Sequence, residues 1–225
     1  MEAVNIIALS MGAAWASGIN LYATIFMLGY MGMTGNIVLP DELQLLTDPM
    51  VMAAAGFMYC VEFFADKIPG VDSGWDTMHT FIRIPAGAML AAGAVGDVSP
   101  AVELTAALLG GTLAAGSHAT KAGSRLLINT SPEPVTNWAA SISEDLLVIA
   151  GLWTALHHPV LFLIALVVFV VLMIWLLPRL WRLLKAIFQK VGAWLGLTKP
   201  TESNPVEPIP TETTPPVKKI EHDPH

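Results

Sequence analysis

Residues 160–177 read VLFLIALVVFVVLMIWLL, a run without a single ionisable side chain. A helix of that length and character meets the requirement for a membrane span, roughly 18 residues or more. The rest of the chain agrees. Of 225 residues, 54% are hydrophobic and only 13% are charged, and the mean hydropathy is +0.61. A soluble domain carries about a quarter charged residues, so composition places the protein in a membrane. The net charge of −7 excludes the basic footprint of a nucleic-acid binder. The single cysteine, Cys60, rules out an internal disulfide, and its apolar surroundings predict a small buried hydrophobe. The N-terminal stretch lacks a basic n-region, and its apolar run is too long for a signal peptide.

Six hydrophobic segments can be placed, near 4–33, 49–65, 77–96, 99–117, 137–156 and 159–178. The expected fold class is all-α: a polytopic transmembrane helix bundle of about six spans. The second to fifth segments are rich in Ala and Gly, which lets membrane helices approach closely, and they predict a tight inner bundle. They are also compatible with a homodimer. The sixth predicts a lipid-facing helix. The first segment is longer than one span needs, with no charge from Ala3 to Pro40 and the sequence Ser17-Gly18-Ile19-Asn20 at its middle. Two readings stand: a helix broken at Gly18–Asn20, or a long tilted helix whose Asn20 bonds a neighbour.

Lys and Arg fix the expected orientation. Lys67 and Arg83, Lys121 and Arg125, and Arg179, Arg182, Lys185 and Lys190 fall on one side if there are six spans. The connections 34–48, 97–98 and 157–158 carry Asp41, Glu42, Asp48 and Asp97 but no Lys or Arg. That predicts a multi-pass protein with both termini cytoplasmic. After Pro178 the basic and apolar residues separate onto two faces. This predicts an amphipathic interfacial helix over 179–197, binding anionic lipid headgroups through 179–190. Residues 198–225 hold seven of the sixteen prolines and predict a disordered tail.

Charge, scarce elsewhere, gathers in two connections: VEFFADKIPGVDSGWDTMHTFIRIPAG at 61–87 and GSHATKAGSRLLINTSPEPVTNWAASISED at 116–145. They read as two pseudo-repeated charged hairpins on the cytoplasmic side. Glu62 and Asp66 are i, i+4. So are His79 and Arg83. His118, Lys121 and Arg125 are i, i+3, i+7, and Ser141, Glu144 and Asp145 are i, i+3, i+4. Side chains three or four apart share a helix face, so each arm presents a polar stripe. The acidic arm comes first in one hairpin and second in the other. Folding therefore juxtaposes opposite charges, and packing the hairpins together can pair Glu62 or Asp66 with Lys121 or Arg125.

Ionisable groups at membrane depth cost about 2.5 kcal/mol or more each, and they survive when paired or when they line a polar cavity. The candidate binding residues are Glu62, Asp66 and Glu144 for a proton or cation, with Asp145 and Asn20 beside them. His79 and His118 titrate nearest neutral pH. Arg83, Lys121 and Arg125 suit a phosphate or carboxylate. A carboxylate–histidine metal site is not expected, since no Glu-x-x-His motif occurs. No cofactor and no catalytic residue is assigned. Gly-x-Ser-x-Gly, Walker and His-Glu-x-x-His patterns are absent from the sequence.

SGINLYAT (17–24), VEFFADKIPGVDSGWDTMHTFIRIPAGAML (61–90), HATKAGSRLLINTSPEPVTNWAASISED (118–145) and LHHP (156–159) resemble a family of bacterial integral membrane proteins, domain of unknown function 4126. The likeness covers about residues 4–160. The sixth segment, basic helix and tail lie at or beyond its edge. The resemblance implies a polytopic bacterial inner-membrane protein and carries over no catalytic residue. The expected function is a small ion- or proton-coupled transporter or translocator of a solute or lipid. The alternatives are a non-catalytic membrane scaffold recruiting a cytoplasmic partner and, behind it, an intramembrane enzyme acting on a lipid headgroup.

Overall fold

The computed structural model describes residues 2–68, 70–130 and 134–194, and every regular element among them is helical. In chain order these are α1 (Glu2–Ile19), α2 (Leu21–Met33), a 3₁₀ turn (Asp41–Thr47), α3 (Pro49–Ala65), α4 (Val71–Val95), α5 (Pro100–Ile128), α6 (Pro134–His157) and α7 (Pro159–Trp194). Residues 2–187 belong to one compact unit, and 188–194 continue α7 as helix within a second. The expected tail at 198–225, and the last residues of the expected interfacial helix, lie outside the described residues.

Local chemistry sets the helix ends. Asp48 accepts hydrogen bonds from the backbone N–H groups of Met50 (2.7 Å) and Val51 (3.3 Å), with Pro49 in the first position of α3. Ser99 caps α5 in the same way, ahead of Pro100. Both follow the preference for Asp or Ser at the cap and Pro just inside it. Gly70 and Gly96, at either end of α4, sit at φ +87° and +71°, a region that other residues rarely enter.

The first segment is two helices. α1 ends at Ile19, and Asn20 is extended at φ −146° and ψ 99°. Its side-chain oxygen accepts from the Ala23 N–H at 2.9 Å, capping α2. The two helices run in opposite directions. α1 climbs alongside α5: an added Cβ on Gly110 would lie 3.3 Å from Ala14, Ser117 bonds the Trp15 carbonyl, and Lys121 bonds that of Ile19. α2 descends against α3, with Phe26 at Gly56 and then Gly29 at Met52. The pair is therefore a helical hairpin whose tip, Gly18–Asn20, points to the end of the bundle holding the charged residues. Of the two readings of the first segment, the break at Gly18–Asn20 is the one found. The start of α1 lies at the other end, where Ala3 lines one groove with Val98 and Val102 and Val4 lines another with Val160. Residue 180 of α7 packs beside Gly123, near the charged end.

α1, α4 and α5 form the centre. A Cβ added to Gly87 would sit 2.4 Å from that of Ala114, and one on Gly110 only 2.2 Å from that of Ala91. Ser10 donates to the Ala91 carbonyl at 2.8 Å. The Ala/Gly faces are thus used inside the chain, and α1 takes the inner place expected of α3. We expect Gly110→Leu to overpack this contact by about 1–3 kcal/mol or more, read as a lower melting temperature in detergent. Leu109→Ala, on the exposed side of the same helix, should change it little.

α7 stands on larger side chains. Phe162 and Phe169 meet Trp15 edge to face at 6.0 Å each. Val160, Leu161, Ile164, Val167 and Val171 are more than half exposed. α7 also passes Pro178 without stopping, so the separate helix expected from 179 is corrected to a continuation of the sixth segment. A proline in a helix leaves the carbonyl four residues back without its usual donor. The carbonyl so freed is that of Ile174; separately, the side chains of Arg179 and Arg182 donate to the carbonyls of Trp175 (2.8 Å) and Pro178 (3.2 Å).

By length and apolar character, three helices can cross a membrane: Val71–Val95, Val135–His157 and Pro159–Ala186. A fourth follows if the 3₁₀ turn and α3, bent by 66°, count as one span. α4 and α5 are longer than the apolar segments 77–96 and 99–117, because helix continues through the charged arms.

Candidate functional site

The polar stripes converge on the hairpin tip. α3 contributes Glu62 and Asp66 from its last turn, and α4 presents Asp72, Asp76, His79 and Arg83. α5 presents His118, Lys121 and Arg125, and α6 presents Asn137, Ser141, Glu144 and Asp145. Nearly all are buried, with Glu62, Asp76, Arg83 and Arg125 at 0% exposure.

Lys121 is the hub. Its ammonium donates to Asp66 Oδ2 at 2.9 Å, to the Ile19 carbonyl at 3.1 Å and to Glu62 Oε1 at 3.3 Å. Asp76 and Glu144 oxygens lie at 3.7 and 3.6 Å. Arg83 bonds Glu62 directly and Asp76 Oδ1 at 3.1 Å. Arg125 grips Glu144 through two parallel bonds of 3.0 and 2.7 Å. It also donates to the Asp66 carbonyl at 3.0 Å and to the side chain of Asn137. Such forked pairing is geometry that Arg supplies and Lys cannot. Charges of opposite sign thus meet within each pair of adjoining helices, and Lys121 and Arg125 join the two sets.

The hairpin tip completes the cluster. Asn20 Nδ2 donates to Asp145 Oδ1 at 3.0 Å. Helix termini favour charges opposite to their partial charge. Lys121 sits at the negative C-terminal end of α1, and Asp145 is bonded to the cap at the positive N-terminal end of α2. Asn129, the C-cap of α5, donates to both oxygens of Asp72, at 2.8 and 2.9 Å.

Both histidines have each ring nitrogen engaged. His79 Nδ1 donates to the Trp75 carbonyl at 2.9 Å, and Nε2 lies 3.1 Å from the Tyr22 hydroxyl. The single proton of the Thr80 hydroxyl goes to the Asp76 carbonyl at 3.0 Å. His118 Nε2 must then be the donor in its 2.7 Å contact with Thr80, and Nδ1 accepts from Arg83 at 3.3 Å. A second proton on His118 would point at a guanidinium.

The charges do not balance. Six carboxylates (Glu62, Asp66, Asp72, Asp76, Glu144 and Asp145) face four cations (Lys67, Arg83, Lys121 and Arg125). Among the described residues, Glu62 Oε2, Asp66 Oδ1, Asp76 Oδ2 and Asp145 Oδ2 are buried without a hydrogen-bond donor. Buried carboxylate oxygens of this kind invite a proton, a cation or water. No three His, Cys, Asp or Glu side chains among the described residues are placed to share a metal ion.

All ten residues singled out from the sequence lie in this one region. Sequence reasoning passed over Asp76, which bridges Arg83 and Lys121, although Asp72, Asp76, His79 and Arg83 lie at i, i+4, i+7 and i+11. It also passed over Asn137, Asn129 and Tyr22. The Ile19 carbonyl is freed by the helix break and has no signal in residue type. Cys60, expected to be buried, is exposed.

Apolar spanning helices around a buried ionised centre define a helical membrane protein. The chain belongs to the family described as domain of unknown function (DUF4126), whose model matches residues 7–179. The match includes the hairpin tip, every residue of the cluster and the apolar part of α7, so the sixth segment lies inside the family region. No curated protein and no solved structure matches the chain.

Proposed function

We propose that this protein is a small ion- or proton-coupled transporter or translocator of the bacterial inner membrane, with the buried cluster as its coupling centre. The observation that carries the reading is the excess of two carboxylates over cations, closed off from solvent at the tip of a broken helical hairpin. A cluster with surplus buried acid gains by taking up protons or a cation. A helix break supplies the termini and loose backbone that such sites use. Uptake at Glu62, Asp66 or Glu144 would weaken the Lys121 bonds and release the tip, opening the bundle.

The proposed topology is five crossings, α3 to α7, with α1–α2 entering from the opposite face. Lys67, Lys121, Arg125, Arg179, Arg182 and Lys185 then share the cytoplasmic side. The start of α1 lies outside and the end of α7 inside. The basic end of α7 meets anionic headgroups as it leaves the bilayer.

The test is proton flux into proteoliposomes containing an entrapped pH-sensitive dye, driven by a potassium diffusion potential. The wild type should acidify the lumen, and Glu62→Gln and Glu144→Gln should each slow this tenfold or more. Flux that both variants carry unchanged would defeat the coupling assignment.

One observation favours the scaffold reading instead: each of Arg83, Lys121 and Arg125 is already engaged by carboxylates, so the network can act as a lock. In that case exchanging the Glu62–Arg83 pair, Glu62→Arg with Arg83→Glu, should restore function lost in either single variant. Deleting 179–225 should abolish it. Coupled transport predicts failure of the exchange and tolerance of the deletion.

A further inference from the structure

α2, α3 and α6 enclose a groove of about 740 Å³ that the cluster does not include. Its walls are Phe26, Tyr30, Tyr59, Cys60, Ile149 and Trp153. The volume is that of a small-molecule site. Phe26 and Tyr30 stack face to face at 6.5 Å, and Tyr30 and Trp153 are about half exposed. The mouth, at Asn36 and His157, lies at the end of the bundle away from the charges.

The floor is what gives the groove its chemistry. Each of its three walls carries a member of the cluster within about one helical turn of a lining residue. On α2 Ala23 lines the groove, and its N–H is bonded to Asn20. On α3 Tyr59 lines it, one turn before Glu62. On α6 Ile149 lines it, one turn after Asp145. Asp145 is 8% exposed, has no cation within salt-bridge distance among the described residues, and keeps Oδ2 without a donor. An aromatic groove therefore ends against the side of the cluster where its surplus negative charge is least compensated.

We infer that this groove binds a lipophilic organic cation, held between aromatic faces and drawn toward Asp145. Aromatic rings attract a cation within about 6 Å, the more strongly the more it is desolvated. A buried carboxylate bonded to an amide but to no cation within salt-bridge distance among the described residues supplies the opposing charge. An anionic amphiphile of the same size meets the same walls but is repelled at the floor. A neutral acyl chain satisfies the walls and leaves Asp145 unanswered. As a substrate class for a transporter, the assignment rests on the reading above. As a binding site it stands without it.

The probes are tetraphenylphosphonium and tetraphenylborate, nearly the same shape with opposite charge. Cys60, the only cysteine in the chain, is a native reporter. In purified protein, tetraphenylphosphonium should slow Cys60 alkylation by N-ethylmaleimide in a saturable way, and tetraphenylborate should not. Asp145→Asn and Trp153→Ala should each weaken the protection tenfold or more. Trp181→Ala, exposed on α7, should leave it unchanged. If Asp145→Asn does not fold, Trp153→Ala and the comparison of the two ions decide alone. Equal protection by both ions, or by neither, overturns the assignment. Selective protection without any flux in proteoliposomes would keep the site and remove the transport reading.

Discussion

Lys121→Met should leave little folded protein. The substitution keeps length and apolar bulk and removes one charge, but five acceptors meet that ammonium within 3.7 Å. Removing one partner of a buried ion pair costs about 3–5 kcal/mol, because the remaining charge is stranded. Here Glu62 and Asp66 lose a direct bond, and the Ile19 carbonyl loses its side-chain donor at the hairpin tip. Against a total stability of about 5–15 kcal/mol, that is enough to shift the protein into aggregate. Fluorescence-detected size exclusion in mild detergent is the measurement. Adding Asp66→Asn should recover part of the monodisperse peak by removing one stranded charge, whereas adding Leu109→Ala should not. A normal peak for Lys121→Met alone would mean that the cluster is not the keystone of the fold.

Asn20 should discriminate between capping and charge. Its oxygen caps α2, and its amide donates to Asp145. Asn20→Ser keeps a capping oxygen and loses the reach to Asp145. Since caps differ by about 1 kcal/mol or less among Ser, Asn and Asp, we expect a modest fall in melting temperature at all pH values. Asn20→Asp also keeps the cap but sets a second carboxylate against Asp145. Two carboxylates sharing a site cannot both ionise cheaply, so they hold one proton between them. The folded variant then binds a proton that the unfolded chain releases at neutral pH. Its stability is greatest in mild acid and falls as pH rises, since stability declines wherever the native state binds more protons than the unfolded one. The expected result is a melting temperature that drops steeply between pH 5 and pH 8 on the order of ten degrees, by the usual conversion of a few kcal/mol. Wild type and Asn20→Ser, without the added carboxylate, should show a shallower slope.

The stripes in the two charged arms were legible because helical spacing is strict. Glu62 to Asp66 and His118 to Lys121 to Arg125 could point to only one face each, and opposite charges in hydrocarbon must meet. The direction of α1 was not legible. An uncharged run from Ala3 to Pro40 offers no Lys or Arg to mark a side, and hydropathy is blind to a reversal at a single extended residue. The inner position of α1 was hidden for a related reason. Gly87, Gly110 and Gly18 mark close contacts, but small residues do not say which helix fills the space. Pro178 misled because a proline removes one helical hydrogen bond without always ending the helix, and α7 runs on through it. Asp76 was readable on the same stripe as Arg83 and was overlooked beside the more conspicuous His79.

The hairpin α1–α2 also sets an order of assembly. Its tip contains a broken backbone and a buried Asn20, and although Asn20 and Thr24 satisfy part of it locally, the rest of its side-chain partners come from later in the chain: Ser117, Lys121 and Asp145. Until residue 145 has been made and α3 to α6 have gathered, those polar groups have no partner in lipid, where each unsatisfied group costs several kcal/mol. We therefore expect residues 2–33, synthesised first, to be seated last, like a bolt pushed home after the frame is built.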